Sequence, residues 1–185
     1  MSFYSQEELE LFGFLSLGYD VKISKKASIY GAHLISLGSH VRIDDFCVLS
    51  AGCGGIKIED YVHIAVYSSL IGAGKITLSN FCNISSRVSI YSSNDDYSGK
   101  FLTNPTVPVK YTGVTSDEVF FEKHVIVGSG AVILPGVRLE EGVAVGALSL
   151  VNENCKAFGI YAGVLAIRIG ERKRDLLAFE NELEI

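Results

Sequence analysis

A six-residue step governs this chain. Starting at Ile23, an aliphatic or aromatic residue opens one unit after another: Ile23, Ile29, Leu37, Ile43, Leu49, Ile58, Ile64, Leu70, Leu78, Ile84, Ile90, Phe121, Val127, Ile133, Leu139, Val145 and Val151. The fifth residue of each unit is Ala, Val, Cys, Ser or Gly, except at His33 and Asn94. A period this short, kept over so much of a chain, marks a repeat architecture. Each unit reads as a short strand and a corner, and three units close a triangular coil. The opening side chain points inward and stacks on its copies above and below. The fifth residue faces inward near a corner, where only a small side chain fits. One such coil cannot bury its apolar face alone, so stacked neighbours supply the core.

The units group into coils at 37–54, 58–75, 78–95, 121–138 and 139–156, with a partial coil at 23–34. Spacers Ile35-Ser36, Gly55-Ile56-Lys57 and Ile76-Thr77 lengthen one edge between turns. Three segments divide the chain: a helical cap over 1–20, the repeat domain over 21–170, and a helix over 171–185. Ser5-Gln6-Glu7-Glu8 has the spacing of a capping box and predicts a short helix at about 6–12, covering the lower end of the prism. Leu176, Leu177, Phe179 and Leu183 among charges predict an amphipathic helix over 171–184.

The register stops over 96–118, a stretch with two prolines and two glycines. A loop of this length inside a compact domain is usually functional or disordered. Tyr97, Phe101, Val107, Val109 and Tyr111 make it too apolar for a solvated excursion, so packing on a neighbouring subunit is expected to order it.

Composition narrows the function classes. The net charge of −5 and the lack of a basic stripe argue against nucleic-acid binding. No apolar run is long enough to span a membrane, and the polar, acidic start MSFYSQEELE is unlike a signal peptide. Cys47, Cys53, Cys82 and Cys155 all occupy the small fifth position and read as buried core filler. Free buried thiols suit a reducing compartment, and the chain reads as cytoplasmic. His33 and His40 read as a tolerated polar residue in an inward slot and a solvent-facing corner residue.

The repeat, with NFCNISSRVSIYSSNDDYSG (80–99), NPTVP (104–108), HVIVGSGAVILPGV (124–137) and GALSLVN (146–152), resembles the hexapeptide-repeat acyltransferases. Within them it is similar to the galactoside and maltose acetyltransferase branch, and more closely to enzymes that acylate nucleotide-linked amino sugars for surface polysaccharides. The resemblance covers about residues 21–170 and implies an all-β, left-handed parallel β-helix. It also implies a homotrimer with active sites in the clefts between prisms, and acetyl-CoA as the donor.

In the galactoside branch the coil interrupted by the loop ends in a histidine that acts as general base toward a sugar hydroxyl. That place is Asp95 here. A hydroxyl needs a base poised near neutrality, which an ordinary carboxylate is not. A neutral amine attacks a thioester unaided, and a carboxylate can hold and orient it. Asp95 therefore favours an amino-sugar acceptor; as the alternative, Asn94-Asp95-Asp96 is a loop start with Asx-type turns.

The resemblance also places Asn83 in the acceptor cleft, where the alternative is a corner amide capping backbone groups. Asn94, Asp96 and Tyr97 join it as substrate-binding candidates. His63 should lie in one column with Asn83 and is the alternative base, for transfer to a hydroxyl. His124 opens a strand that in relatives meets the cofactor arm, or is simply a corner histidine. Coenzyme A contacts are implied at Ile126, Gly128, Ser129, Gly146 and Ala147, where small residues also satisfy tight corners. The usual terminal Gly-x-Pro motif is Gly163-Val164-Leu165 here, leaving Arg168, Lys156 or Arg172-Lys173-Arg174 for the coenzyme phosphates. A third class, a non-catalytic scaffold or metal hydratase, is weakly supported because the four histidines form no His-x-x-x-x-His pair.

Overall fold

The computed structural model describes residues 2–183 and shows a three-walled parallel β-solenoid, consistent with a left-handed β-helix. The first wall stacks Ser16–Leu17, Ile35–Leu37, Ile56–Ile58, Ile76–Leu78, Val119–Phe121 and Arg138–Leu139. The second stacks Lys22–Ile23, Arg42–Ile43, His63–Ile64, Asn83–Ile84, Ile126–Val127, Ala144–Val145 and Gly159–Ala162, with Ile167–Glu171 added antiparallel at its upper edge. The third stacks Ser28–Tyr30, Val48–Ala51, Ser69–Gly72, Ser89–Tyr91, Val132–Ile133 and Leu150–Val151.

The six-residue leaders form the core: all are buried except Ile29, which packs against the core from a half-buried position. The register pairs them coil on coil, as in Ile43↔Ile64 and Ile84↔Val127. The spacers do more than lengthen an edge. First-wall strands carry a second inward residue, Ile35, Ile56, Ile76 and Val119, all buried. That wall is one side chain broader than the others.

Two fifth-position residues are exposed, and a third, Asn94, lines an outer cleft. Cys53 is exposed and leans its thiol on the Ala73 carbonyl. The corner at Gly52–Gly55 takes extra residues to reach the broad wall, so the six-residue step has slipped by then. His33 is exposed as well, carried outward by the 3-10 turn Ala32–Leu34. Cys47, Cys82 and Cys155 are buried and free, and burial pushes their thiols up to about 11, about 12 and about 12.

The corners set the turn chemistry. The second turn residue has positive φ in coil after coil, at His40, Tyr61, Phe81 and His124 on the corner between the first and second walls. Phe46, Tyr67 and Arg87 do the same between the second and third. A bulky residue in this region is uncommon, and each left-handed residue costs about 1–2 kcal/mol. Ring stacking offsets part of that: His40 on Tyr61, Tyr61 on Phe81 and Phe81 on His124 lie with centroids 4.6, 5.1 and 4.9 Å apart. His40 is therefore half-buried in a stack and bonded to Asp20, not a free surface group.

Both ends are closed. The capping box at Ser5 and Glu8 starts α1 (Gln6–Glu10), which plants buried Leu9 on the lowest coil. The solenoid begins at Ser16–Leu17, earlier than the repeat suggests, because that strand pairs with Ile35–Leu37. At the other end the helix is shorter than expected. Residues 167–171 are a strand, and α2 runs only over Leu176–Glu182; Glu184 of the expected helix lies outside the described residues. The alternating Ile167-Arg168-Ile169 has the period of a strand and finds a partner at the edge of the second wall.

Core packing makes a direct prediction. Ile43 is fully buried between coils, so Ile43→Ala should lower unfolding free energy by about 2–5 kcal/mol in denaturant titration. A loss under about 1 kcal/mol would contradict the stacked-core description.

Candidate functional site

The excursion between Tyr91 and Val119 is anchored by its own chain. Ser93–Asn94 pairs antiparallel with Thr115–Ser116, closing the loop at its base. Asp96 ties the near end: its carboxylate accepts from the Ser98 amide and hydroxyl at 3.2 and 2.7 Å, and from the Lys100 and Phe101 amides at 3.0 and 3.2 Å. These bonds, led by that of the Ser98 hydroxyl, hold the carboxyl below its ordinary value. Asp96 is thus occupied with loop structure. The Asx-turn reading applies to Asp96, while Asp95 stays exposed at the surface.

Beside it lies a cleft of about 640 Å³, lined by Asn94, Asp95, Asn104, Pro105, Val107 and Val114 among others. Asp95 is its only ionisable lining residue among the described residues. Tyr97 stands 92% exposed outside this cleft. Phe101, Val109 and Tyr111 are also exposed, so the loop is folded on itself yet leaves an apolar surface uncovered.

His63 and Asn83 lie on the outer face of the second wall, directly paired in register. His63 Nδ1 is 3.2 Å from Asn83 Oδ1, and Nε2 is 3.0 Å from Asp44 Oδ2. Neither ring nitrogen is open, so His63 is poorly placed as a general base and well placed to orient Asn83. Asp44 is buried and also accepts from Arg42 Nε at 2.8 Å. Burial alone would raise its carboxyl; the bonds and charges of His63 and Arg42 outweigh that and hold it below its ordinary value.

The implied coenzyme residues gather at the corner between the second and third walls. Ser129 and Ala147 are exposed turn residues on successive coils. Their backbone amides find no acceptor among the described residues, while neighbouring Gly128 and Gly146 donate to Val145 and Tyr161. The same open amide recurs below at Asp45, Val66 and Ser86. A line of outward donors therefore runs along this corner, one per coil, about 4.8 Å apart. Gly128 is demanded by stacking itself, because a Cβ there would lie 2.5 Å from the Ala147 nitrogen. Ile126 is half-buried on the adjoining wall, in register with Asn83 and Ala144.

Arg168 pairs with Glu171, and Lys156 with Glu140 at 2.8 Å. Arg172 is turned inward, donating to the His124 and Gly142 carbonyls at 2.6 and 3.2 Å. His124 is buried and holds Glu180 of α2 at 2.7 Å, so its role here is to seat the C-terminal helix. No group of three or more His, Cys, Asp or Glu among the described residues is arranged to hold a metal.

Asp95 and the Ser129–Ala147 corner sit at opposite edges of the third wall. An extended strand rises about 3.3 Å per residue, so roughly 15–20 Å separates them. One chain brings together Asn94 with Asp95, and His63 with Asn83, but not Asp95 with the Ser129–Ala147 corner.

No family model matches the chain. A curated dTDP-4-amino-4,6-dideoxy-D-glucose acyltransferase from Escherichia coli is 56% identical over 181 residues, covering 98% of this chain and 94% of the relative. The chain belongs to the hexapeptide-repeat acyltransferases, in the branch of that enzyme. Crystal structures of AntD, an N-acyltransferase from Bacillus cereus, match with a TM-score of 0.93 at 49–50% identity, over 98% of this chain and 95–96% of AntD. They hold dTDP with coenzyme A or with 3-hydroxybutyryl-CoA. AntD has been crystallised with substitutions at an aspartate and at a serine ten residues apart. A maltose O-acetyltransferase from Clostridium difficile matches at 15% identity with a TM-score of 0.62, over 91% of this chain and 75% of its own, and shares the fold.

The Asp44 geometry fixes an acid-stability prediction. A carboxyl lowered in the native state adds stability above its unfolded value, and that stability is lost as pH falls through the native value. Wild-type unfolding free energy should therefore fall steeply below about pH 4. Asp44→Asn, less stable at neutral pH, should show a flatter acid limb. Parallel limbs would show that the His63–Asp44 pair does not form.

Proposed function

We propose that this protein transfers an acyl group from acyl-coenzyme A to the amino group of a dTDP-linked 4-amino-4,6-dideoxyhexose, for surface polysaccharide synthesis in the cytoplasm. The observation that carries the reading is Asp95, a lone exposed carboxylate at the lip of an otherwise uncharged cleft. The 56% identical relative acts on such a sugar by its name, and AntD is an N-acyltransferase that binds dTDP.

Coenzyme A supplies a thioester whose carbonyl is open to attack. The open amides of Ser129 and Ala147 suit the amide-bearing arm of the coenzyme, laid along the corner so that each coil donates one bond. Asp95 accepts a hydrogen bond from the sugar amine and orients its lone pair. As the new C–N bond forms and the C–S bond breaks, the amine proton passes to Asp95 or to the departing sulfur. The acyl group proposed for this chain is acetyl. Ser85 was not singled out from sequence, because it follows a leader in an ordinary corner position. Its separation from Asp95 equals that of the serine and aspartate substituted in AntD, a spacing shared by Ser86 and Asp96, and supports a place for Ser85 in the same site.

The separation of Asp95 from the coenzyme corner supports a homotrimer in which a neighbour's corner faces each cleft. The uncovered Phe101, Val109 and Tyr111 suit contact with that neighbour.

Asp95→Asn should lower kcat/KM for the dTDP-amino sugar by about 10²-fold or more while coenzyme A binding stays unchanged. Unchanged turnover would remove Asp95 from the mechanism, and transfer to the 4-hydroxy sugar but not the 4-amino sugar would replace N- with O-acylation. Light scattering should give three times the 20.0 kDa chain mass, and a monomer would refute the shared cleft.

A further inference from the structure

His63 has a side-chain partner at each ring nitrogen: Asp44 Oδ2 lies 3.0 Å from Nε2, and Asn83 Oδ1 lies 3.2 Å from Nδ1. His40 and His124 each meet a single carboxylate, of Asp20 and Glu180. The two partners of His63 are chemically unlike. An ionised carboxylate only accepts, whereas a primary amide accepts at its oxygen and donates at its nitrogen.

Asp44 settles one nitrogen. Its carboxylate is buried, accepts from Arg42 Nε at 2.8 Å and is held below its ordinary value, so it is ionised and Nε2 must carry a hydrogen. Nδ1 then has two states. Protonated, it donates to Asn83 Oδ1, the arrangement in the structure, and the Asn83 NH2 is turned outward. Bare, it can only accept, so the amide must reverse to donate to it, and the Asn83 oxygen faces outward instead. One proton on His63 therefore inverts the polarity that Asn83 presents. The charges around the ring come from below. Asp44 and Arg42 flank it, and Lys22, in register beneath Arg42, is paired with Asp20 at 3.1 Å. The coil above contributes Asn83 and then Ile126, both uncharged.

Asn83 stands where that polarity matters. Ile84 is buried, so Asn83 and Ser85 on either side of it share the outer face, about 7 Å apart. We infer that His63 is a positioning residue of the acyl-transfer site: its imidazolium holds the Asn83 oxygen inward and presents the Asn83 NH2 as a donor to an oxygen of the acceptor sugar. The inference rests on the acceptor proposed above, a nucleotide-linked amino sugar. Ring and hydroxyl oxygens of a sugar accept such a bond, whereas an outward amide oxygen would repel a ring oxygen. His63 acts through Asn83 and abstracts no proton from the substrate.

Two measurements on the intact protein test this. In side-chain 15N–1H NMR spectra of wild type, the Asn83 NH2 signals should shift with the same pH midpoint as the His63 ring nitrogens, and that shift should vanish in His63→Gln. In steady-state assays, the ratio of wild-type to His63→Gln kcat/KM for the dTDP-linked amino sugar cancels the ionisation of the substrate amine and of Asp95, which both enzymes share. That ratio should fall about 3- to 10-fold as pH rises through the His63 midpoint, the change lying in KM for the sugar. Asn83→Asp keeps the shape and removes the donor, so below the midpoint it should raise the sugar KM by a similar factor and leave the coenzyme A KM unchanged. Asn83 signals blind to the His63 titration overturn the coupling, and a flat ratio beside shifting signals overturns the positioning role. Either result leaves the proposed acyl transfer standing. If wild type acylates no dTDP-linked amino sugar at any pH, the acceptor reading falls and the role of His63 with it.

Discussion

Backbone pairing between identical coils is the constraint from which the rest of this molecule follows. Each strand is only two to five residues long, too short to hold together alone. Stability comes from repetition: every leader sits on the leader of the coil below, and every corner repeats the same turn. The lattice also fixes what the surface can be. Each corner exposes a column of identical backbone positions, so a function needing regularly spaced donors finds them already built. The line of open amides from Asp45 to Ala147 is a by-product of coil geometry, and side chains along it decide what it binds.

Seen this way, the corners divide the labour. The corner between the first and second walls is structural, with rings stacked in the left-handed turn positions and the C-terminal helix fastened to its top through His124, Lys123 and Arg172. The corner between the second and third walls is open, small at the top and aromatic below, where Arg87 lies over the Tyr67 ring. The third corner throws out the long loop and presents Asp95. The third wall keeps Asp95 away from the open corner, which is why the proposed site draws on two copies of the chain.

Much of this was legible in the sequence. The leaders Ile23 to Val151 and the small residues Val41, Cys47 and Val88 announce the coil because a core column tolerates nothing else. Asp95 was legible against the family pattern, since a carboxylate in place of histidine changes which nucleophile can react. Positions where the step slips were not. Cys53 and His33 keep the spacing but sit where the corner widens or a 3-10 turn intervenes. Ile35, Ile56 and Ile76 looked like spacers because the period counts one inward residue per wall, whereas the first wall holds two. The occupancy of Asp96 by loop amides and of both His63 nitrogens by Asp44 and Asn83 depends on three-dimensional neighbours about twenty residues away or on a local knot, and no periodicity reveals it. The strand at Ile167–Glu171 was hidden by the charges around it, which belong to its exposed face.

The central claim is that each reaction site combines the loop of one copy with the open corner of another, and subunit mixing tests it most directly. Asp95→Asn disables the loop contribution; Ala147→Tyr, a bulky side chain on the coenzyme corner, disables the other. Neither variant should turn over alone. Refolded or co-expressed together, random trimers would contain clefts with an intact loop and an intact corner, restoring about a quarter of wild-type activity per site. No restoration in confirmed mixed trimers would mean that each chain carries a complete site, contradicting the account.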